Sequence, residues 1–446
     1  MDLKTDISFK KINTLAIPAL IAGIAEPLLS ITDTAIVGNI DINATESLAA
    51  VGIVGAFISM LVWVFGQIRS AISSIIAQYL GANKLNEIKS LPAQAIFIGI
   101  VGSLVVLSVT YPFAKEIFQF YNASDLILEY SVTYYRIRIF GFPFSLFVFA
   151  VFGIFRGLQN TFYPMIIAIT GAVLNIILDI ILVYGIEGFI PAMNIEGAAY
   201  ASVAAQFSMA VIAGILLIKT TDIKLRIQLP WNHEIKRLLG MVGNLFIRTL
   251  FLNLALYFAV SFSTGYGKDY IAAYTIGINL WFLGAFVIDG YSSAGNILSG
   301  KLLGAKEYDT LVKLSNQLIK YGLFTGLLLT GVGFLFYNSI GGMFINEVSV
   351  QKEFSNVFWI VLIMQPLCAV TFIFDAIFKG MGEMAFLRNI LMFSTLLVFT
   401  PAIFLFDSLD YKLYGVWFTF ILWVIARGLP LIIKFRRKFL PLIEKG

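Results

Sequence analysis

Runs of twenty or more mostly apolar residues recur almost end to end along this chain. A helix needs about 20 such residues to cross the hydrocarbon core of a bilayer. Short polar or Gly/Pro-containing turns separate about twelve runs, at 12 to 39, 47 to 79, 92 to 113, 127 to 153, 162 to 185, 196 to 218, 236 to 264, 270 to 300, 313 to 337, 354 to 378, 387 to 406 and 413 to 433. Of the 446 residues 59% are hydrophobic and 13% charged, against about 25% charged in soluble domains; mean hydropathy is +0.88. The expected fold class is an all-α membrane protein of about 12 transmembrane helices. The opening MDLKTDISFKK precedes a run much longer than a signal-peptide core and lacks a small-residue cleavage pattern after it, so the first span is expected to stay.

Bases mark the side on which each connection lies. Lys4, Lys10 and Lys11, the alternate connections with Lys84 and Lys89, Arg156, Lys219, Lys224 and Arg226, Lys301 and Lys306, Lys379 and Arg388, and the tail Lys434, Arg436, Arg437 and Lys438 are basic. The intervening connections carry Asp41, Glu46, Asp125, Glu187, Glu196 and Glu347 and few bases. Both termini are expected in the cytoplasm, with the chain multi-pass in the cell membrane. The net charge of +5 is this asymmetry and points to no nucleic acid. With one cysteine, Cys368, in an apolar span and one histidine, His233, in a basic connection, neither a zinc site nor a Cys/His nucleophile is expected. No G-x-x-x-x-G-K-[ST] loop occurs, which argues against ATP as the energy source.

The chain also resembles itself at one offset, 223, half of 446. SLAAVGI at 47 faces YIAAYTI at 270, QYLGANK at 78 faces KLLGAKE at 301, FRGLQ at 155 faces FKGMG at 378, Pro143 faces Pro366 and Gly99 faces Gly322. Matches in one register mark a duplication. Each half holds an even number of spans, so the copies share an orientation and an axis along the membrane normal, a plan whose substrate sites lie where the repeats meet. The expected division is an N-lobe over 1–218, a cytoplasmic linker over 219–237 and a C-lobe over 238–446.

Charges present in one half only are not explained by shared architecture. Asp33 faces Leu256 and Asp179 faces Ala402; Arg248 faces Ala25, Asp289 faces Gly66 and Asp375 faces Phe152. At about 1.5 Å per residue, Asp33, Asp179 and Ser202 each lie roughly 9 Å below the outer surface, on the first, fifth and sixth spans. Asn175 is one turn from Asp179 and Gln206 one turn from Ser202. Such oxygens suit a proton, a hydronium or Na⁺. Glu26, seven residues before Asp33, shares its face, and Pro18 and Pro27 weaken that helix. A charged acid at mid-span costs at least about 2.5 to 3.5 kcal/mol, which favours a group that takes up a proton. The coupling candidates are therefore Asp33, Asn175, Asp179 and Ser202, for H⁺ or Na⁺, with Glu26 and Gln206 as accessory.

Arg248 sits about 20 Å into the seventh span and needs an anionic partner or a watery cavity, and Asp289 and Asp375 are the acids available to it. Lys379, four residues after Asp375, offers that acid a simple local pair instead. Arg69, Arg136, Arg138 and Arg427 lie close enough to span ends to snorkel.

ITDTAIVG at 31, SLAAVGI at 47, LNIILDIILVYG at 174, EGAAYASVAAQ at 196, FIRTLFLNLA at 246, VIDGYSS at 287 and FDAIFKGMGEMAFLRN at 374, in this order across both halves, resemble the multidrug and toxin extrusion (MATE) family, particularly its DinF-like branch. The resemblance implies two six-helix lobes in a V around a central cavity. It also implies that Asp33 matches a first-helix aspartate whose protonation is linked to bending, and that Asn175, Asp179 and Ser202 match the N-lobe polar cluster. Asn296 stands where many relatives have a glutamate, and Ala376 replaces a usual Gly.

The expected function is a secondary active exporter that antiports organic cationic or amphipathic compounds against protons or Na⁺, working as a monomer, with no organic cofactor and no enzymatic activity. The alternative within the same superfamily is a lipid-linked precursor flippase, which needs a strongly cationic cavity. A membrane-embedded prenyl transferase needs paired Asp-rich motifs, which only DSLD at 407 approaches.

Overall fold

The computed structural model describes residues 5–40, 43–344 and 347–443, without the side chains of 25–31. Among the described residues every regular element is a helix. The first, α1, covers Phe9–Val37 and is itself long enough to span. Eleven more segments are long and apolar enough to cross a membrane: α2 (Ala44–Gly81), α3 (Leu85–Thr110), α4 (Asp125–Gly157), α5 (Phe162–Tyr184), α6 (Asn194–Thr220), α7 (Ile235–Gly265), α8 (Lys268–Gly304), α9 (Tyr308–Leu335), α10 (Val348–Gly380), α11 (Met384–Ser408) and α12 (Lys412–Ile443). The last runs ten residues past its expected end at 433. Phe435 and Phe439, one turn apart, are both buried, so the basic tail continues the helix as an amphipathic turn.

Two compact units emerge. One holds residues 21–76 and 84–242, the other residues up to 20, 77–83 and 243 onward. In the first, Phe118 packs edge to face against both Phe57 and Tyr135 at the core. There the loop before α7 is fastened to α3: buried Gln94 donates to the Gln228 carbonyl at 2.6 Å and accepts from the Asn232 N–H at 2.8 Å. In the second, Trp417, Trp423, Phe399 and Phe420 form the aromatic centre.

Lipid offers no hydrophobic drive for helices to associate, so close approach at small residues matters. A Cβ on Gly380 would lie 2.1 Å from the Asn296 carbonyl and 2.2 Å from Ser299 Oγ. In the other unit a Cβ on Gly157 would lie 2.6 Å from Ile76 and 3.0 Å from the Ser73 carbonyl. These residues are images at the 223 offset, so the duplication read in the sequence is also a duplication of packing. Gly81 and Gly304, a second glycine pair at that offset, meet each other's helices inside the second unit: their Cβ atoms would lie 1.9 Å from the carbonyls of Lys301 and Gln78 respectively.

Pro366 lies inside α10 and leaves the Leu362 carbonyl without its usual helical donor. The Thr330 hydroxyl of α9 donates to that carbonyl at 2.7 Å. Gly326 gives α9 room to approach, since a Cβ there would lie 2.8 Å from Pro366 Cα.

Candidate functional site

The α5–α6 contact sets the N-half polar site. A Cβ on Gly197 would lie 2.5 Å from the Leu182 carbonyl, and Ala198, Ala199, Ala201 and Ala205 are buried beside it. With backbones this close, Ser202 faces Asn175 across the gap. Asn175 Nδ2 donates to Ser202 Oγ at 3.5 Å, and Ser202 Oγ donates to Asp33 Oδ2 at 3.2 Å. Asp179 lies one turn along α5 and faces Asp33. Exposures of 6% for Asp33, 0% for Asp179, 2% for Asn175 and 3% for Ser202 place all four out of reach of bulk water. An acceptor facing an acceptor makes no bond without a proton or a cation between them. Among the described residues neither oxygen of Asp179 nor Oδ1 of Asp33 has a hydrogen-bond partner.

Two residues of α4 join this site that the sequence reading did not place there. Tyr134 is buried, and Arg138 and both acids act on it electrostatically. Arg138 acts on Asp179 in turn. The signal was available: Tyr134 lies seven residues into the span expected at 127, about 10 Å deep and level with Asp33. Gln206 instead lies over Gly141, where a Cβ would meet its Oε1 at 1.8 Å. The Glu26 side chain lies outside the described residues.

In the C-half, Arg248 of α7 and Asp375 of α10 form a buried pair. Arg248 Nη2 donates to both carboxylate oxygens at 2.9 Å. Lys379 adds a third contact to Asp375 at 3.1 Å, so the inter-helix pair and the local pair exist together. Asp289 is exposed and accepts from Ser293 at 3.4 Å. Arg427 does not snorkel: it is 4% exposed, with its guanidinium 4.5 Å from the centre of the Trp423 ring. Below the helices, between α10 and α11, Glu383 accepts from Lys434 and, at 2.6 Å, from Lys438. Burial raises its pKa, but these two charge-assisted bonds outweigh burial and hold the carboxyl below its ordinary 4.5.

Known proteins agree with this architecture. The chain is similar to DNA damage-inducible protein F of Escherichia coli (strain K12), 25% identical over 382 residues that cover 84% of this chain and 81% of that protein. It is similar to "Probable multidrug resistance protein NorM" of Neisseria meningitidis serogroup B (strain ATCC BAA-335 / MC58), 24% identical over 369 residues, 80% of this chain and 78% of that one. Its fold matches a crystal structure of MATE in the bent conformation with a TM-score of 0.90 at 21% identity, over 98% of this chain and 96% of that one. Nothing in these comparisons supports the flippase alternative. The family model MatE matches residues 18–181 and 245–404, so this multi-pass membrane protein belongs to the MatE family, whose members are transporters and not enzymes.

Proposed function

We propose that the chain is a secondary active exporter that exchanges protons for organic cationic or amphipathic compounds across the cell membrane, as a monomer with both termini in the cytoplasm. The observation that carries this reading is the pair of facing carboxylates, Asp33 and Asp179, with three buried oxygens that lack a donor. One proton bridging the two acids supplies the missing donor and removes a like-charge repulsion. Ser202, itself held by Asn175, keeps Asp33 oriented toward α5 and α6. A proton entering from outside therefore ties α1 to α5, and its departure leaves two acids that repel. That alternation is the coupling step, and it drives release of the compound on the outer side.

The driving force is adequate. Inward movement of one charge through 100 mV releases about 2.3 kcal/mol, and one pH unit adds about 1.4. For neutral cargo the sum sustains a gradient of a few hundred-fold. The same oxygens suit Na⁺, and the test separates the two ions. In proteoliposomes with an imposed proton or Na⁺ gradient, wild type should export a fluorescent organic cation under the proton gradient, and Asp33→Asn and Asp179→Asn should each lose most of that export. Export driven by Na⁺ alone would assign the site to Na⁺. Wild-type rates in both variants under both gradients would end the coupling assignment.

A further inference from the structure

The C-half cluster carries more positive charge than its own acids balance. Arg248, Lys379 and Arg427 gather around Asp375, each acting on it electrostatically. Three cations face one buried carboxylate. Asp289 acts on Lys379 from an exposed position and is bonded to Ser293 instead. Asp375 is saturated by Arg248 and Lys379, while Arg427 makes no hydrogen bond or ion pair among the described residues and rests only on the Trp423 ring. Arg248 Nε is also buried without an acceptor. A guanidinium out of water with unfilled donors is costly, and the groups that fill such a fork are carboxylates and phosphates.

We infer that this cluster binds the anionic head group, a carboxylate or a phosphate, of an amphipathic molecule, with Arg427 and the Nε edge of Arg248 as donors and the Trp423 ring beside it. Asp375 holds Arg248 and Lys379 in place, so the charge that meets the ligand is preorganised. The inference rests on the export reading for identifying the occupant as cargo, and within the amphipathic part of that cargo it adds molecules that carry a negative head. A lipid phosphate has the same chemistry and is the other source.

The full chain, purified in maltoside detergent, is titrated with laurate, with dodecyl phosphate and with dodecyltrimethylammonium, following thermal unfolding. Arg427→Gln is the informative variant, because Arg427 has no ion-pair partner to orphan. Laurate and dodecyl phosphate should raise the unfolding temperature of wild type. The concentration for half the effect should rise at least about tenfold in Arg427→Gln, and Arg427→Lys should recover part of the loss. The ammonium amphipath should show no dependence on Arg427. Equal half-effect concentrations in wild type and Arg427→Gln, or anions no better than the ammonium, overturn the inference and leave the cluster as an ion-pair scaffold. Gradient-driven laurate efflux from proteoliposomes identifies cargo as the occupant. Phospholipid that copurifies with wild type and is lost in Arg427→Gln, by mass spectrometry, identifies lipid. Export of a fluorescent cation is read in parallel: its absence with anion binding intact removes the transport reading and not this site.

Discussion

Replacing Asp375 alone should destabilise the chain far more than replacing Asp375 and Arg248 together. The two side chains are 11% and 9% exposed, so water screens their attraction little. Arg248 Nη2 lies 2.9 Å from both carboxylate oxygens, and Lys379 Nζ lies 3.1 Å from one of them. Asp375→Asn removes the carboxylate that both cations contact directly, and an orphaned buried partner costs about 3 to 5 kcal/mol. Arg248→Met with Asp375→Leu removes both charges and fills similar volume; Lys379, 21% exposed, can turn to water. Replacing a buried pair by apolar groups is often neutral or stabilising, so the double variant should lie within about 1 to 2 kcal/mol of wild type. The coupling in a double-mutant cycle should then be about 3 kcal/mol or more. The assay is thermal unfolding in detergent at one fixed scan rate, since apparent midpoints depend on it. An Asp375→Asn midpoint equal to wild type, or a double variant as unstable as the sum of the singles, would refute the reasoning.

Gly380→Leu should abolish a monodisperse peak in detergent chromatography, because even its Cβ would lie 2.1 Å from a carbonyl; Gly240→Ala, with nothing within 4 Å of the added Cβ, should behave as wild type. Thr330→Val should lower stability by about 1 kcal/mol by orphaning the Leu362 carbonyl beside Pro366, and Thr330→Ser should retain it. Glu383 gives an acid-side effect. Its folded pKa is below 4.5, so its contribution is fully present above that value and fades as pH falls through the depressed one. Protection from hydrogen exchange in residues 434–443, taken relative to the intrinsic rate at each pH, should therefore fall below about pH 4.5 in wild type, whereas Glu383→Gln should show weak protection at all pH values.

Much of this was legible in the sequence because lipid imposes simple rules. Span length reports the helices, and depth along a span is a matter of counting, which brought Asp33, Asp179 and Ser202 to one level before any packing was known. What counting does not give is azimuth. Tyr134 was at the right depth, but only the rotation of α4 shows that it faces the acids. Arg427 looked free to snorkel because α12 ends in a basic tail, yet buried Phe435 and Phe439 carry the helix onward and leave Arg427 well inside it. Lys379 was read as an alternative to Arg248 because sequence spacing presents i,i+4 pairs and hides partners 127 residues away.

The Gly81–Gly304 crossing bears on the order of synthesis. The tip of α2 belongs to the compact unit built mainly from residues 243 onward, yet the ribosome makes it 223 residues before its partner. At about 5 to 20 residues per second, that separation is a wait of about 11 to 45 s. During it, the glycine-lined backbone surface at the tip of α2, shaped for close contact, has only lipid or the insertion machinery to touch. A nascent chain stalled between residues 83 and 304 should therefore carry a protease-accessible α2 tip, and release of the second LGA segment should protect it.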